Sequence, residues 1–194
     1  MFIAITPYQV LTEIDLNHYI EISESIDLLL LRVPMDHESL CISVDYLIHH
    51  GFPKDKLMVH SDITLLKKYD LTFIHFREND EHAFSFKQSH PHISVSMSTH
   101  SSESIQRAQK HGLDFVCFGH VFETASKDGK RPRSNEEIKR AVAHHIPIYA
   151  IGGIHVHTIK HLPPGFKGIC AISFFRKANI QEIKSLRKVW QAYV

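Results

Sequence analysis

Two stretches of sequence decide the fold of this chain: FVCFGHVFET at residues 115–124 and IPIYAIGGI at residues 146–154. Each is a short apolar run of the kind that forms a buried strand, and each stops at a turn. His120 follows the first run and can exchange a proton near neutral pH. Gly152 and Gly153 follow the second, and glycines let backbone N–H groups approach an anion closely. The two turns together predict an enzyme that acts on a small phosphorylated molecule.

Strand-like and helix-like segments alternate along the chain. Eight apolar runs predict strands at residues 2–6, 26–33, 56–60, 72–75, 92–98, 114–119, 148–151 and 168–173. Helical patterns occur at about 15–24, 36–50, up to 69, 101–112, 135–145, 156–162 and 180–193. Continuous apolar runs are typical of parallel strands that are covered on both faces. We therefore expect an α/β fold in which residues 1–194 form a single-domain (β/α)8 TIM barrel, with an open doubly wound sheet as the alternative.

Composition limits the possible partners. The formal net charge of +1 gives no broad electrostatic basis for binding nucleic acid or a membrane surface. No apolar run approaches the roughly 18 residues of a membrane span, and the N-terminus lacks the pattern of a signal peptide. Cys41, Cys117 and Cys170 are odd in number and widely separated, which indicates buried, reduced thiols. These features predict a cytoplasmic protein with no nucleic acid or membrane partner.

Histidine is unusually frequent, with 17 copies. His157 and His161 lie four residues apart on a predicted helix, a spacing that suits two ligands of a metal ion. No Cys, Asp or Glu joins them at ligand spacing, and other histidines fall near predicted helix ends, where a positive charge complements the helix dipole. We interpret most of them as surface histidines and predict no metal site.

In a closed barrel the strand ends meet at one mouth, where the active sites of such barrels lie. The side chains and turns predicted there are Arg32, Ser61, His75, Ser98, His120, Gly152, Gly153 and Ser173. His120 is the candidate acid/base, and Gly152, Gly153 and Ser173 are candidates for a phosphate site because they follow the last two strands. Ser98 could instead begin a turn, and His75 is interpreted as a histidine with its hydrogen bonds satisfied.

Two cations near this mouth are candidates for contact with an anionic substrate. Arg32 ends a strand, with a solvated rim arginine as the alternative interpretation. Lys127 lies in the polar segment at residues 126–133, which is predicted to be a mobile loop and could fold back on a ligand.

The runs FGHVFET (118–124), AIGGI (150–154) and STHS (98–101) resemble the thiamine phosphate synthase superfamily, and Gly119-His120 resembles its TenI-type thiazole tautomerase branch. The resemblance implies that His120 is the acid/base, with Thr124, Ser126 and Lys127 on the family's Thr-x-Thr-Lys loop. It implies a carboxythiazole ethyl phosphate as substrate, aromatised without a metal or redox cofactor. It also implies a homodimer and thiazole synthase as the natural upstream partner.

Departures from the synthase pattern favour the tautomerase. Synthases carry an arginine and a lysine two apart after strand two, whereas here Arg32 is followed by Val33 and Pro34. By alignment, Ser61 stands where synthases place an aspartate that serves magnesium pyrophosphate. Losing a cation and a carboxylate weakens a pyrophosphate site, since charge neutralisation is most of what such a site provides. The alternatives are a thiamine phosphate synthase, or a non-catalytic regulator that binds a phosphorylated ligand.

Overall fold

The computed structural model describes residues 1–124, 127 and 129–193, leaving aside the side chain of residue 193. Eight parallel strands close into a barrel in chain order, each pairing with the next and the eighth with the first. The strands are β1 Phe2–Ile5, β2 Leu28–Leu31, β3 Leu57–His60, β4 Phe73–Phe76, β5 Ser94–Thr99, β6 Phe115–Gly119, β7 Ile148–Ile151 and β8 Gly168–Ala171. The predicted (β/α)8 TIM barrel is confirmed, and the open sheet is wrong.

Helices follow the strands and cover the outside of the barrel. They are α1 Glu13–Ile22, α2 His37–His49, α3 Ile63–Lys68, α4 His82–Ser89, α5 Ser102–Lys110, α6 Asn135–Val142, α7 Ser173–Lys177 and α8 Ile180–Tyr193. Short 3₁₀ turns occur at Ser23–Ser25, Lys54–Lys56 and Ile159–His161. None of the helices in the described part of the chain is both long and apolar enough to cross a membrane.

The structure corrects several sequence-based boundaries. The sequence pattern does not predict α4, because polar residues interrupt it around the buried Phe84 and Phe86. The predicted helix at 156–162 is only the 3₁₀ turn, and α6 ends at Val142 rather than at residue 145. β8 ends at Ala171, so Ser173 is not in the strand but is the first residue of the short helix α7.

Side-chain caps fix the loops at the mouth of the barrel. Asp36 accepts a hydrogen bond from the backbone N–H of Ser39 at 2.9 Å and is the N-cap of α2. Ser101 caps α5 and Ser134 caps α6, each in a reciprocal capping box. Asp36 and Ser101 lie soon after β2 and β5, and Ser134 ends the long loop after β6. The caps therefore fix where these loops end and where the helices begin.

The core has two parts. One packs the outer faces of the strands against the helices, and the other fills the barrel interior. The interior part contains Ile3, Ile5, Leu28, Leu30, Met58, Phe115, Cys117, Tyr149 and Cys170. The sulfurs of Cys117 and Cys170 lie 3.3 Å apart, and all three cysteines are buried free thiols, as predicted. The interior is therefore mostly apolar, with the buried polar side chains of His75 and Ser96 as exceptions.

Candidate active site

One cavity of about 660 Å³ opens at the mouth of the barrel. All eight residues proposed from the sequence for catalysis or ligand binding line it: Arg32, Ser98, His120, Thr124, Lys127, Gly152, Gly153 and Ser173. They come from the ends of β2, β5, β6, β7 and β8 and from the loop after β6. Ser126 and Asp128 lie outside the described residues. The mobility of the loop at residues 126–133 stays a prediction. The closed barrel therefore brings together residues as distant in sequence as Arg32 and Ser173.

The cavity has an apolar floor and a basic rim. Ile5, Leu30 and Cys117 rise from the barrel interior into its base. Arg32 and Lys127 supply positive charge, whereas Glu123 is the sole carboxylate among the described lining residues. Such a surface suits a small ligand with an apolar ring and anionic groups. Sequence reasoning did not identify Glu123, His100, His155 or Phe174 as lining residues, although His100 stands two residues after a predicted strand.

His120 is buried, with 7% of its surface exposed, although it lines the cavity. Its Nε2 lies 3.2 Å from the carbonyl oxygen of Lys130. Because a carbonyl oxygen can only accept, Nε2 carries the hydrogen, and in the neutral ring Nδ1 then carries the lone pair. Within residues 1–124, 127 and 129–193, Nδ1 has no hydrogen-bond partner. The imidazole is thus held in the tautomer that leaves one basic nitrogen available.

The loop after β6 is held against the end of β7. The backbone N–H groups of Val121 and Phe122 donate to the carbonyls of Ile151 and Gly152 at 2.9 and 3.1 Å. A Cβ at Gly152 would overlap His120 Cβ, and a Cβ at Gly153 would overlap the carbonyl oxygen of Glu123. Both glycines also have positive φ, at 102° and 67°. Their first role is therefore to let this loop, and with it His120, sit directly on the strand end.

The candidate phosphate site lies where β7 and β8 end. α7 begins at Ser173, so its first backbone N–H groups have no acceptor within the helix. Ser173 and Phe174 line the same cavity as Gly152 and Gly153. Loops after strands seven and eight, together with a short extra helix, are a frequent phosphate site in TIM barrels. Here the residues that follow β7 and the start of α7 after β8 line the same cavity.

His75 lies below Ser98 and is almost completely buried. Its Nδ1 lies 2.8 Å from Ser96 Oγ and its Nε2 lies 2.8 Å from Ser98 Oγ. Both ring nitrogens are therefore satisfied, which confirms the interpretation of this histidine. Burial lowers the pKa of His75 to about 3, with His60 and Arg32 adding to the effect. Burial, Arg32 and Arg77 lower the pKa of His60 to about 4.

The carboxylates next to the mouth do not fit a magnesium pyrophosphate site. Asp62 caps α3 through Leu65 N–H at 2.7 Å and pairs with His37 Nδ1 at 3.2 Å. Asp80 accepts from the backbone and ring nitrogens of His82, at 3.1 and 3.0 Å. Ser61 carries no charge and, in contrast to the prediction, does not line the cavity. Across the described residues, no group of three or more His, Cys, Asp or Glu side chains could hold a metal ion.

The fold and the cavity define a TIM-barrel protein with a polar-rimmed cavity at the carboxyl ends of its strands. The TMP-TENI family model, described as thiamine monophosphate synthase, matches residues 34–175. The chain therefore belongs to the TMP-TENI family of thiamine biosynthesis enzymes.

Individual relatives carry synthase names. A putative thiamine-phosphate synthase 2 of Aquifex aeolicus is 30% identical over 126 residues, which cover 63% of this chain and 67% of that protein. A thiamine-phosphate synthase of Caldicellulosiruptor bescii is 31% identical over 104 residues, 51% of this chain and 48% of that protein. The matched segment thus spans about half the length of the second relative. Both names are those of a synthase, the alternative function considered from the sequence, and neither names a tautomerase.

Solved structures show the same fold. A thiamine phosphate pyrophosphorylase from Pyrococcus furiosus superposes with a TM-score of 0.78 at 21% identity, covering 100% of this chain and 96% of that one. A 3-keto-L-gulonate-6-phosphate decarboxylase from Vibrio cholerae gives 0.74 at 11% identity, covering 100% and 98%. At these identities the likeness establishes the barrel and nothing further.

Replacing Gly153 with alanine should displace the loop that carries His120. The new Cβ would overlap the Glu123 carbonyl, whereas Gly112→Ala introduces a methyl group at nearly the same φ, 70°, with no atom within 4 Å. In both variants a side chain is placed in the left-handed backbone region, which costs about 1–2 kcal/mol. The difference in stability between the two variants therefore reports the close contact alone. We expect Gly153→Ala to lower the melting temperature further and to weaken binding of a thiazole phosphate by calorimetry. Equal stability and unchanged affinity in the two variants would contradict this account.

Burial of His75 makes the fold sensitive to acid. Its pKa is near the ordinary 6.5 in the unfolded chain and about 3 in the folded one. The unfolded state therefore takes up the proton first, and stability should fall as the pH drops below about 6.5, by about 1.4 kcal/mol per pH unit. Urea unfolding should show a smaller loss in the free energy of unfolding between pH 7 and pH 4.5 for His75→Gln than for wild type. His60 should account for part of the loss that remains in the variant. The exposed His92→Gln is the matched control, and a fall in His75→Gln as steep as in wild type would show that the account is wrong.

Proposed function

We propose that this protein is a thiazole tautomerase of thiamin biosynthesis. Its substrate would be a non-aromatic carboxythiazole ethyl phosphate with an exocyclic double bond, and its product the aromatic tautomer. The observation that carries the proposal is the geometry of His120, whose ring lines the cavity and whose Nε2–H is bonded to the Lys130 carbonyl, so that in the neutral ring Nδ1 keeps its lone pair. A histidine held in one tautomer at a phosphate-type site is suited to proton transfer on a small phosphorylated ring.

The reaction moves one proton and no other atom. Nδ1 of His120 would remove the proton from ring carbon C2, and the electron pair of that bond would form the C2–N double bond. The former N–C4 double bond shifts to C4–C5, and the exocyclic double bond takes up a proton at its outer carbon. Substrate and product therefore have the same composition, and the ring gains aromaticity without oxidant, reductant or leaving group.

The rest of the cavity would position the substrate. Gly152, Gly153 and Ser173 would hold the phosphate, helped by Lys127, because they lie together at the ends of β7 and β8. Arg32 would orient the carboxylate. Its guanidinium lies over the ring of Tyr8, 4.9 Å from the centroid, which restrains its position at the rim.

Two polar side chains would contact the ring and its side arm. Ser98 Oγ is fixed by the hydrogen bond to His75 at 2.8 Å, and Thr124 lies beside Lys127 in the lining of the cavity. Such positioning can supply a large part of a rate enhancement, because the reacting carbon is held against the base.

A thiamine-phosphate synthase is the second candidate, supported by the names of the relatives. The residues around the site support the tautomerase instead. Val33 and Pro34 follow Arg32 where a second cation is expected, Ser61 replaces a carboxylate, and Asp62 is used as a helix cap. A regulator that only binds a phosphorylated ligand would need the phosphate site but not the fixed tautomer of His120. The homodimer, the thiazole synthase partner and the cytoplasmic location remain predictions from the sequence.

The His120→Asn variant tests the acid/base. Asparagine keeps a similar size and hydrogen-bonding capacity but cannot exchange a proton near neutral pH. We expect ligand affinity close to wild type and a loss of aromatisation rate of about 10²–10⁴-fold, measured by absorbance after subtraction of the uncatalysed rate. The exposed His92→Asn serves as the control and should keep the wild-type rate. A His120→Asn enzyme as fast as wild type would remove this residue as the proton carrier.

A synthase assay separates the two enzymatic candidates. Protein incubated with magnesium, thiazole phosphate and hydroxymethylpyrimidine pyrophosphate should form little or no thiamin phosphate, because the cation and carboxylate expected for the pyrophosphate are absent at Pro34 and Ser61. Product is measured by fluorescence after oxidation, with an active thiamine-phosphate synthase as the positive control. Turnover comparable to that control would favour the synthase.

A further inference from the structure

A second histidine in the cavity is held by a carboxylate. His100 follows the last residue of β5 and lines the cavity with 43% of its side chain exposed. Its Nδ1 lies 2.8 Å from Glu78 Oε2, and its backbone N–H donates to Glu78 Oε1 at 2.7 Å. Glu78 comes from the loop between β4 and α4. Both carboxylate oxygens thus bind the same residue, which fixes the position of its backbone and of its ring.

The charge of Glu78 determines the tautomer of His100. Burial alone would raise the pKa of Glu78, but hydrogen bonds from Ser104 and from the backbone and ring of His100 lower it on balance. Glu78 is therefore ionised at neutral pH and can only accept, so the hydrogen of His100 lies on Nδ1. Its Nε2 has no hydrogen-bond partner in the described part of the chain. His100 thus also offers one ring nitrogen for chemistry.

The rings of His120 and His100 donate to different hydrogen-bond acceptors. His120 is held by a neutral carbonyl, whereas His100 is held by a carboxylate. A carboxylate at Nδ1–H stabilises the imidazolium that forms when the other nitrogen takes up a proton. A neutral carbonyl offers less stabilisation of that charge. His100, whose side chain is 43% exposed, can therefore hold a proton taken from solvent and give it to the substrate, which leaves the buried His120 to remove the proton from C2.

We propose that the Glu78–His100 pair is the second proton carrier of the tautomerase, an inference that rests on the proposed function. Nδ1 of His120 takes the proton from C2, and Nε2–H of the His100 imidazolium gives a proton to the exocyclic carbon. One C–H bond breaks and one forms, His120 ends protonated and His100 neutral, and exchange with water restores both. His100 is then a catalytic residue, and Glu78 is a positioning residue that acts through it.

The experiment compares wild type with His100→Asn, Glu78→Gln and Glu81→Gln. Glu81 lies in the same loop as Glu78 but pairs with Arg107 and does not line the cavity, so it is the matched control. We expect kcat to fall by about 10²–10⁴-fold in His100→Asn. In Glu78→Gln we expect a smaller loss in kcat with KM nearly unchanged, and a ¹⁵N spectrum of His100 that shows both tautomers. Glu81→Gln should match wild type in all three measurements.

Isotope transfer distinguishes two carriers from one. Substrate carrying deuterium at C2 is converted in ordinary water, and the exocyclic carbon of the product is analysed by mass spectrometry. Two carriers predict hydrogen from solvent only, whereas a single histidine that shuttles the proton returns part of the deuterium.

The outcomes separate this inference from the proposed function. A wild-type protein that does not accelerate tautomerisation overturns the proposed function and, with it, the second carrier. Wild-type acceleration with deuterium in the product, or a wild-type rate in His100→Asn or Glu78→Gln, overturns only the second carrier. Rate loss in both variants but not in Glu81→Gln, with no deuterium transfer, supports it.

Discussion

The close contact between the loop after β6 and the end of β7 is the constraint on which the site depends. Ile151 and Gly152 accept hydrogen bonds from that loop, and the missing side chains of Gly152 and Gly153 leave room for it. The same contact places His120 at the cavity and brings the candidate phosphate site beside it. A residue proposed for anion binding therefore also supports the loop that carries His120, and the two roles cannot be varied independently.

The sequence predicts the parts of the site that are local. Each apolar run ends close to where its strand ends, so the amino-acid pattern alone is enough to place Arg32, Ser98, His120 and Gly152 at the mouth of a barrel. Short elements with weak patterns are not predicted. α7 has five residues, and α4 mixes buried phenylalanines with polar positions, so neither gives a clear helical periodicity.

Contacts between distant segments could not be predicted. Glu78 and His100 are 22 residues apart on different loops, and only the pairing of β4 with β5 brings them together. The tautomer of His120 depends on the carbonyl of Lys130, which belongs to a polar loop with no local signal for that contact. The sequence therefore identifies which side chains reach the mouth, whereas their hydrogen-bond partners, and hence their chemical states, depend on the three-dimensional arrangement.

The cavity is better suited to moving protons than to neutralising a pyrophosphate. Carboxylates near the mouth are engaged in capping a helix at Asp62, in binding His82 at Asp80 and in holding His100 at Glu78. Asp62 and Glu78 use both carboxylate oxygens in these contacts, and Asp80 uses Oδ1, which leaves fewer of the oxygen ligands that a divalent cation needs. Meanwhile the two proposed proton carriers each keep one ring nitrogen available within the described part of the chain. The proposed function therefore requires for its phosphate only the ends of β7 and β8, whereas the pyrophosphate chemistry of a synthase would also require charged side chains elsewhere at the mouth.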